Sequence, residues 1–140
     1  KGITGYCLNV FGNVRTVGYA DGEPWQVGIE NPDGGDYLAV LNITDKSVVT
    51  SGNYQRFYVV NGEKYHHIID PSTLMPGEKY TSVSVVTEDS GYADALSTML
   101  FLTDFDDGYA FVENTHDLEA MWVMPDGEIK YSSGFEDYMK

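Results

Sequence analysis

Cysteine is almost absent from this chain: Cys7 is the one thiol in 140 residues. An internal disulfide is excluded, and so is any zinc cluster built on cysteine. The compartment stays open on that count, because secreted bacterial proteins often lack cysteine too. Basic residues are also scarce. Eight Lys and Arg face 22 Asp and Glu, a net charge of −14. Such a body repels a phosphate backbone and an anionic bilayer surface, which argues against general nucleic-acid binding and against direct membrane adsorption. No apolar run approaches the roughly 20 residues of a membrane-spanning helix. Internal repeats and low-complexity tracts are missing as well. What remains is 42% hydrophobic and 14% aromatic, too apolar for an intrinsically disordered chain. A chain of this length buries roughly two-thirds of its unfolded surface, so residues 1–140 are expected to form one domain.

The first half carries short strand-like runs punctuated by glycine. Gly5–Val10 and Val14–Tyr19 flank a turn-like Phe11-Gly12-Asn13. Trp25–Ile29 alternates, and Tyr37–Ile43 and Ser47–Ser51 look like a strand pair. Gln55–Val60 and Glu63–Ile68 flank Asn61-Gly62, a strong hairpin signal. Thr81–Thr87 alternates valine with small polar residues, the pattern of a strand with one buried face. Helical spacing appears at Ala93, Leu96, Met99 and Leu100, with Asp89 or Ser90 placed to cap. A second helix is expected over Asp106–Asn114. Glu119–Met124 and Ile129–Ser132 then flank Asp126-Gly127 as a last hairpin. The order of strands, helices, strands, without βαβ alternation, predicts an α+β fold: a largely antiparallel sheet with two helices packed against it. The chain starts at Lys1 without a signal-peptide pattern and enters a strand at once. That is expected of a piece of a longer protein, or of a processed protein that is otherwise complete.

Three constellations can carry chemistry. In Tyr65-His66-His67-Ile68-Ile69-Asp70-Pro71 the two histidines point to opposite faces of a strand, so one at most serves a given site. A His beside an Asp suits proton transfer, the carboxylate fixing the imidazole tautomer; the plain alternative is a surface His and a turn-starting Asp. In Tyr92-Ala93-Asp94-Ala95-Leu96-Ser97-Thr98, Asp94 and Thr98 share a helix face four residues apart. A carboxylate and a hydroxyl are hard oxygen donors of the kind magnesium takes, with phosphates and water completing the shell. The alternative is an Asp complementing the helix dipole and a Thr bonded back to its own helix. Thirdly, Phe11-Gly12-Asn13-Val14-Arg15 and Val49–Arg56 place Gly, Asn or Ser at strand ends beside Arg15 and Arg56, the chain's two arginines. Backbone amides and guanidinium groups are what a pyrophosphate needs.

Together these segments resemble the ApbE family of flavin transferases. The resemblance is carried by Phe11-Gly12-Asn13-Val14-Arg15-Thr16-Val17-Gly18, Val49-Thr50-Ser51-Gly52-Asn53-Tyr54, His67-Ile68-Ile69-Asp70-Pro71 and Ala93-Asp94-Ala95-Leu96-Ser97-Thr98, in family order. Trp122-Val123 and Ser133-Gly134-Phe135 continue it. Phe11 stands where the family often has Gly, and Ser72 and Leu74 stand where Arg and Gly are common.

The resemblance covers the C-terminal part of a family member. It implies transfer of FMN from FAD to a Thr or Ser hydroxyl of a target protein, with release of AMP. By the same resemblance Asp94 and Thr98 are magnesium ligands, and His67 is the catalytic or positioning histidine. Asp70 either supports His67 or shapes the loop. Gly12, Asn13, Ser51 and Gly52 are FAD or pyrophosphate contacts, with Arg15 less secure among them. It further implies an acceptor subunit of a membrane redox complex. Work outside the cytoplasmic membrane would follow, the protein being held by a lipid anchor outside these residues. The chain alone is expected to show little transfer. Two other classes stay open: magnesium-dependent FAD hydrolysis or non-catalytic flavin binding, and an extracellular glycan-binding face built from the eleven tyrosines.

Overall fold

The computed structural model describes residues 2–140. Strands β1 (Tyr6–Val10) and β2 (Asn13–Val17) form a hairpin. Next come β3 (Trp25–Ile29), β4 (Ala39–Ile43), β5 (Ser47–Gly52), β6 (Phe57–Val60), β7 (Glu63–His66), β8 (Ile69–Asp70), β9 (Met75–Pro76) and β10 (Ser82–Thr87). Helices α1 (Ser90–Leu102) and α2 (Phe105–Glu113) follow, then β11 (Glu119–Val123), β12 (Ile129–Tyr131) and a 3-10 turn over Phe135–Tyr138. Six strands pair in the order β1-β2-β5-β10-β11-β12, antiparallel throughout, and three separate ribbons pair β3 with β4, β6 with β7 and β8 with β9. The expected α+β architecture with a largely antiparallel sheet and two helices is therefore present.

The sheet is covered on both faces. Ala93, Leu96, Leu100 and Phe101 of α1 and Val112 of α2 pack on Val49, Val83, Val85, Ala120 and Trp122. On the other face Val27, Ile29, Ala39, Leu41 and Ile43 of the β3–β4 ribbon, with Phe135, pack on Val14, Val48, Val86, Met121 and Val123. Two expectations are corrected by this third layer. Tyr37–Ile43 and Ser47–Ser51 do not pair edge to edge: β4 pairs with β3, whereas β5 pairs with β2 and β10. The turn at Asp45 (φ 55°) lifts the chain from one layer to the next, so apolar residues of β4 and β5 meet face to face. Likewise, every residue of β10 is buried, not one face of it, because it is a central strand with cover on both sides. Met99 proves to be a partly exposed flank of α1 rather than core.

Helix α1 starts where expected. Asp89 is its N-cap, and the carboxylate accepts from the Tyr92 amide at 2.7 Å, satisfying one of the orphan N–H groups of the first turn. None of the helices is long and apolar enough to cross a membrane among the described residues.

The β1–β2 connection is a two-residue turn, Phe11 and Gly12, with φ of 50° and 88°. That is the left-handed pair that matches strand twist in a tight hairpin. Leu74, in the β8–β9 turn, also sits at positive φ (61°). Neither Phe11 nor Leu74 is glycine, so both turns hold an L side chain in the left-handed region and carry backbone strain. Both side chains are exposed. Leu74→Gly should therefore raise unfolding free energy by about 0.5–1 kcal/mol, the left-handed strain relieved less the added chain entropy. Urea denaturation measures it; a loss of stability would show that Leu74 packs in a way its exposure does not suggest.

Candidate active site

The long α1 lies across β5 and β10, and its first two turns reach β2. Its polar stripe therefore faces the end of the β1–β2 hairpin. A cleft of about 430 Å3 opens there, lined among others by Gly12, Asn13, Arg15, Arg56, Ser90 and Asp94. Four predicted site residues, from the first hairpin and from the helix, are thus brought to one place. The Asn13 side chain donates to the Ser90 carbonyl at 3.3 Å, fixing the turn against the helix start. Arg15 lines the same cleft, but its Nη1 donates to the carbonyls of Asp45 (2.7 Å) and Glu88. That nitrogen braces two loops, which limits what the guanidinium can offer an anion.

Asp94 and Thr98 are both exposed on α1, as the helical spacing predicts, and neither is packed in apolar surroundings. Thr98 Oγ1 lies 3.3 Å from the Asp94 carbonyl and 3.2 Å from Ser51 Oγ. Ser51 also meets Ser97 Oγ at 2.8 Å. Ser51 thus turns its hydroxyl to the helix. Gly52 is buried, and a Cβ there would stand 2.6 Å from the Tyr54 ring; the missing side chain makes room for that ring. Neither Ser51 nor Gly52 borders the cleft.

His67 is exposed, and its Nδ1 lies 3.3 Å from the Arg56 carbonyl. A carbonyl only accepts, so in the neutral ring this contact puts the proton on Nδ1 and leaves the Nε2 lone pair open. This is the tautomer a general base needs. Asp70 does not provide it. Its carboxylate accepts from the Ser72 amide (2.8 Å) and hydroxyl (2.6 Å), and these bonds hold its pKa below the usual carboxylate range. It borders a different hollow, with Met75, Phe101 and Leu102. The expectation that Asp70 either supports His67 or shapes the loop resolves to the loop, because the turn after Pro71 points the carboxylate back along its own chain. The Arg56 carbonyl orients the imidazole in its place.

His66 is the buried partner. Its Nε2 lies 2.8 Å from the Gly77 carbonyl and its Nδ1 accepts from the Ile68 amide at 3.3 Å. It packs edge-on to Phe101. Both nitrogens are satisfied in the neutral ring alone, so a proton on Nδ1 would face the Ile68 N–H.

Sequence reasoning missed three participants. Ser90 contributes through its carbonyl, which no side-chain pattern reports. Ser97, three residues from Asp94, stands in the motif as a small residue that lets a ligand or backbone approach, not as a hydrogen-bonding one. Tyr54 borders a second cavity of about 570 Å3 that shares Gly12 and Thr50 with the cleft. Its hydroxyl is buried without a partner, and burial, with the nearby Glu30 charge, pushes its pKa up to about 12.

Among the described residues no three His, Cys, Asp or Glu side chains cluster as a metal site. One carboxylate and one hydroxyl on the same helix face suit magnesium, which keeps water and substrate phosphates in most of its positions; they do not make a zinc or calcium site. Thr98 Oγ1 bonds back to its own helix at the Asp94 carbonyl, as in the plainer alternative, and does not border the cleft.

A family model described as the ApbE family matches residues 1–122. The chain belongs to the ApbE family. An FAD:protein FMN transferase of Treponema pallidum is 38% identical over 133 residues, covering 93% of this chain and 36% of that protein. One from Klebsiella pneumoniae is 34% identical, covering 90% of this chain and 39% of its own length. Among solved structures, the ApbE protein of Thermotoga maritima superposes with a TM-score of 0.91 at 34% identity, over 97% of this chain and 45% of that one. The chain thus spans well under half the length of these ApbE relatives.

The ApbE chain holds His66 neutral, because burial lowers its pKa more strongly than the Gly77 carbonyl raises it. A lowered folded pKa means that the unfolded chain takes up the proton first as pH falls. The His66 contribution to stability is therefore complete above the ordinary histidine pKa of about 6.5. It is lost as pH drops from there through the folded value. Denaturation between pH 7.5 and 5 should show this loss, and His66→Gln should flatten that part of the curve; an unchanged slope would remove the assignment.

Proposed function

We propose that this ApbE chain, within the greater length its relatives carry, transfers FMN from FAD to a Thr or Ser hydroxyl of an acceptor protein, with magnesium. One observation carries this reading. The turn at Gly12-Asn13 and the Asp94 carboxylate line a single cleft with Arg56, and the Arg56 carbonyl orients His67. On this reading Gly12 and Asn13 would meet the diphosphate, Asp94 the metal ion, and His67, beside Arg56, the proton.

In the reaction, the acceptor hydroxyl attacks the phosphorus on the FMN side of the FAD diphosphate. The bond to the bridging oxygen breaks, and AMP leaves with that oxygen. The free Nε2 of His67 takes the hydroxyl proton, and Nδ1–H on the Arg56 carbonyl keeps the ring in the tautomer that can do so. Asp94 and Thr98 would hold the magnesium ion, which when bound neutralises charge on the diphosphate and on the departing AMP. The two-residue turn lets the backbone at Gly12 approach the diphosphate without a side chain in the way. Asn13, tied to Ser90, keeps that turn against the helix. The names of the related proteins support FAD as the substrate. A flavin-accepting subunit of a membrane redox complex is the acceptor we assign. Attachment to the membrane would come from a lipid anchor outside these residues, on the outer side of the cytoplasmic membrane.

Full-length protein, FAD, magnesium and a Thr-containing acceptor subunit, followed by intact mass spectrometry, test the proposal. Covalent gain of FMN with release of AMP is expected. Asp94→Ala should cut the rate about 100-fold or more, and His67→Ala about 100- to 10,000-fold. The 140-residue chain alone should transfer little. Free FMN without any adduct would show hydrolysis in place of transfer. Metal-independent flavin binding in wild type and Asp94→Ala alike would remove the metal role.

A further inference from the structure

The hydroxyls of Ser51, Ser97 and Thr98 form a closed group with the Asp94 carbonyl. Ser97 is fully buried (0%) on the sheet-facing side of α1. Its Oγ lies 2.8 Å from Ser51 Oγ and 3.0 Å from the Asp94 carbonyl. Ser51 Oγ lies 3.2 Å from Thr98 Oγ1, which itself lies 3.3 Å from that carbonyl. Each hydroxyl has one proton to give, and the carbonyl can only accept.

Proton accounting selects a direction. A Thr98 oxygen that turns lone pairs to a cation must send its proton away from it. The Asp94 carbonyl, at 3.3 Å, is that acceptor. Ser97 donates to the same carbonyl at 3.0 Å, and Ser51 donates to Ser97 at 2.8 Å. Every proton then has an acceptor, and both lone pairs of Thr98 stay free. With no hydroxyl at position 97, the Ser51 proton would find Thr98 Oγ1 as its neighbour, at 3.2 Å, and compete with the cation for that oxygen. We propose that Ser97 is a positioning residue of the metal site, the buried acceptor that draws the Ser51 proton away from Thr98. This rests on Asp94 and Thr98 as the metal ligands. It also assigns Ser51 a different task from diphosphate binding, since in that direction its single proton is committed to Ser97.

The probe is Mn2+, titrated into the full-length protein with FAD present, free ion being read by electron paramagnetic resonance and folding by thermal melting. Ser97→Ala should raise the Mn2+ dissociation constant about tenfold, the lower end of what outer partners of metal ligands contribute. Ser97→Thr, which restores a hydroxyl, should return it to near the wild-type value. Ser51→Ala removes the competing proton, so adding it to Ser97→Ala should restore binding; Ser97→Cys, whose thiol is a much weaker acceptor, carries the test if Ser97→Ala does not fold. The proposal falls if Ser97→Ala, or Ser97→Cys in its place, binds like wild type, or if the added Ser51→Ala restores nothing. It falls equally if Ser97→Thr is as weak as Ser97→Ala, since packing and not the hydroxyl would then be responsible. Absence of protein-dependent Mn2+ binding in wild type would overturn the ligand assignment itself. Binding lost in Asp94→Ala but untouched at Ser97 would overturn this inference alone.

Discussion

The seating of α1 across β5 and β10 is the contact on which the rest of this molecule depends. Ala93, Leu96, Leu100 and Phe101 bury one side of the helix against Val49, Val83 and Val85. The sheet is rigid because β10 is paired on both edges and covered on both faces. A helix held so firmly by apolar packing can leave its opposite stripe, Asp94 and Thr98, exposed to solvent and ligand. Precision comes from polar stitches at the edge of that packing: Asn13 to Ser90, and Ser51 to Ser97 and Thr98. These bonds join rigid elements, which is how a charged ligand can be met by donors already in place.

The histidine pair shows how one dipeptide is divided between folding and chemistry. Strand β7 ends at His66, and His67 lies just beyond it. His66 turns inward, where two backbone groups and the Phe101 ring hold it neutral. His67 turns outward, with one nitrogen on a carbonyl and the other free.

Relatives more than twice as long share this fold over most of the present chain. Within it, strand β1 and the β6–β7 ribbon leave Tyr6, Leu8, Val10 and Phe57–Val60 exposed. That is more apolar surface than a sheet edge usually shows to water. The cleft lies at the border of this surface and the packed core: Val49 belongs to the core, whereas Leu8, Val10 and Phe11 on its other side are exposed.

The sequence by itself determined most of the strands, both helices, a cap at Asp89 or Ser90 and the facing of Asp94 with Thr98, because periodicity and capping are local and each residue reports its own neighbours; the two-residue strands β8 and β9 are too short to leave a period. The ordered motifs were legible too, and with them the family. Tertiary structure alone decided that β4 and β5 stack in different layers, that Asp70 serves its own turn, and that the Arg56 carbonyl orients His67. It also decided that Ser51 faces the helix and that Gly52 shelters the Tyr54 ring. Each of these depends on a backbone carbonyl or a packing neighbour far along the chain. Side-chain patterns carry no record of either, since every residue owns a carbonyl and only the fold says which one is near.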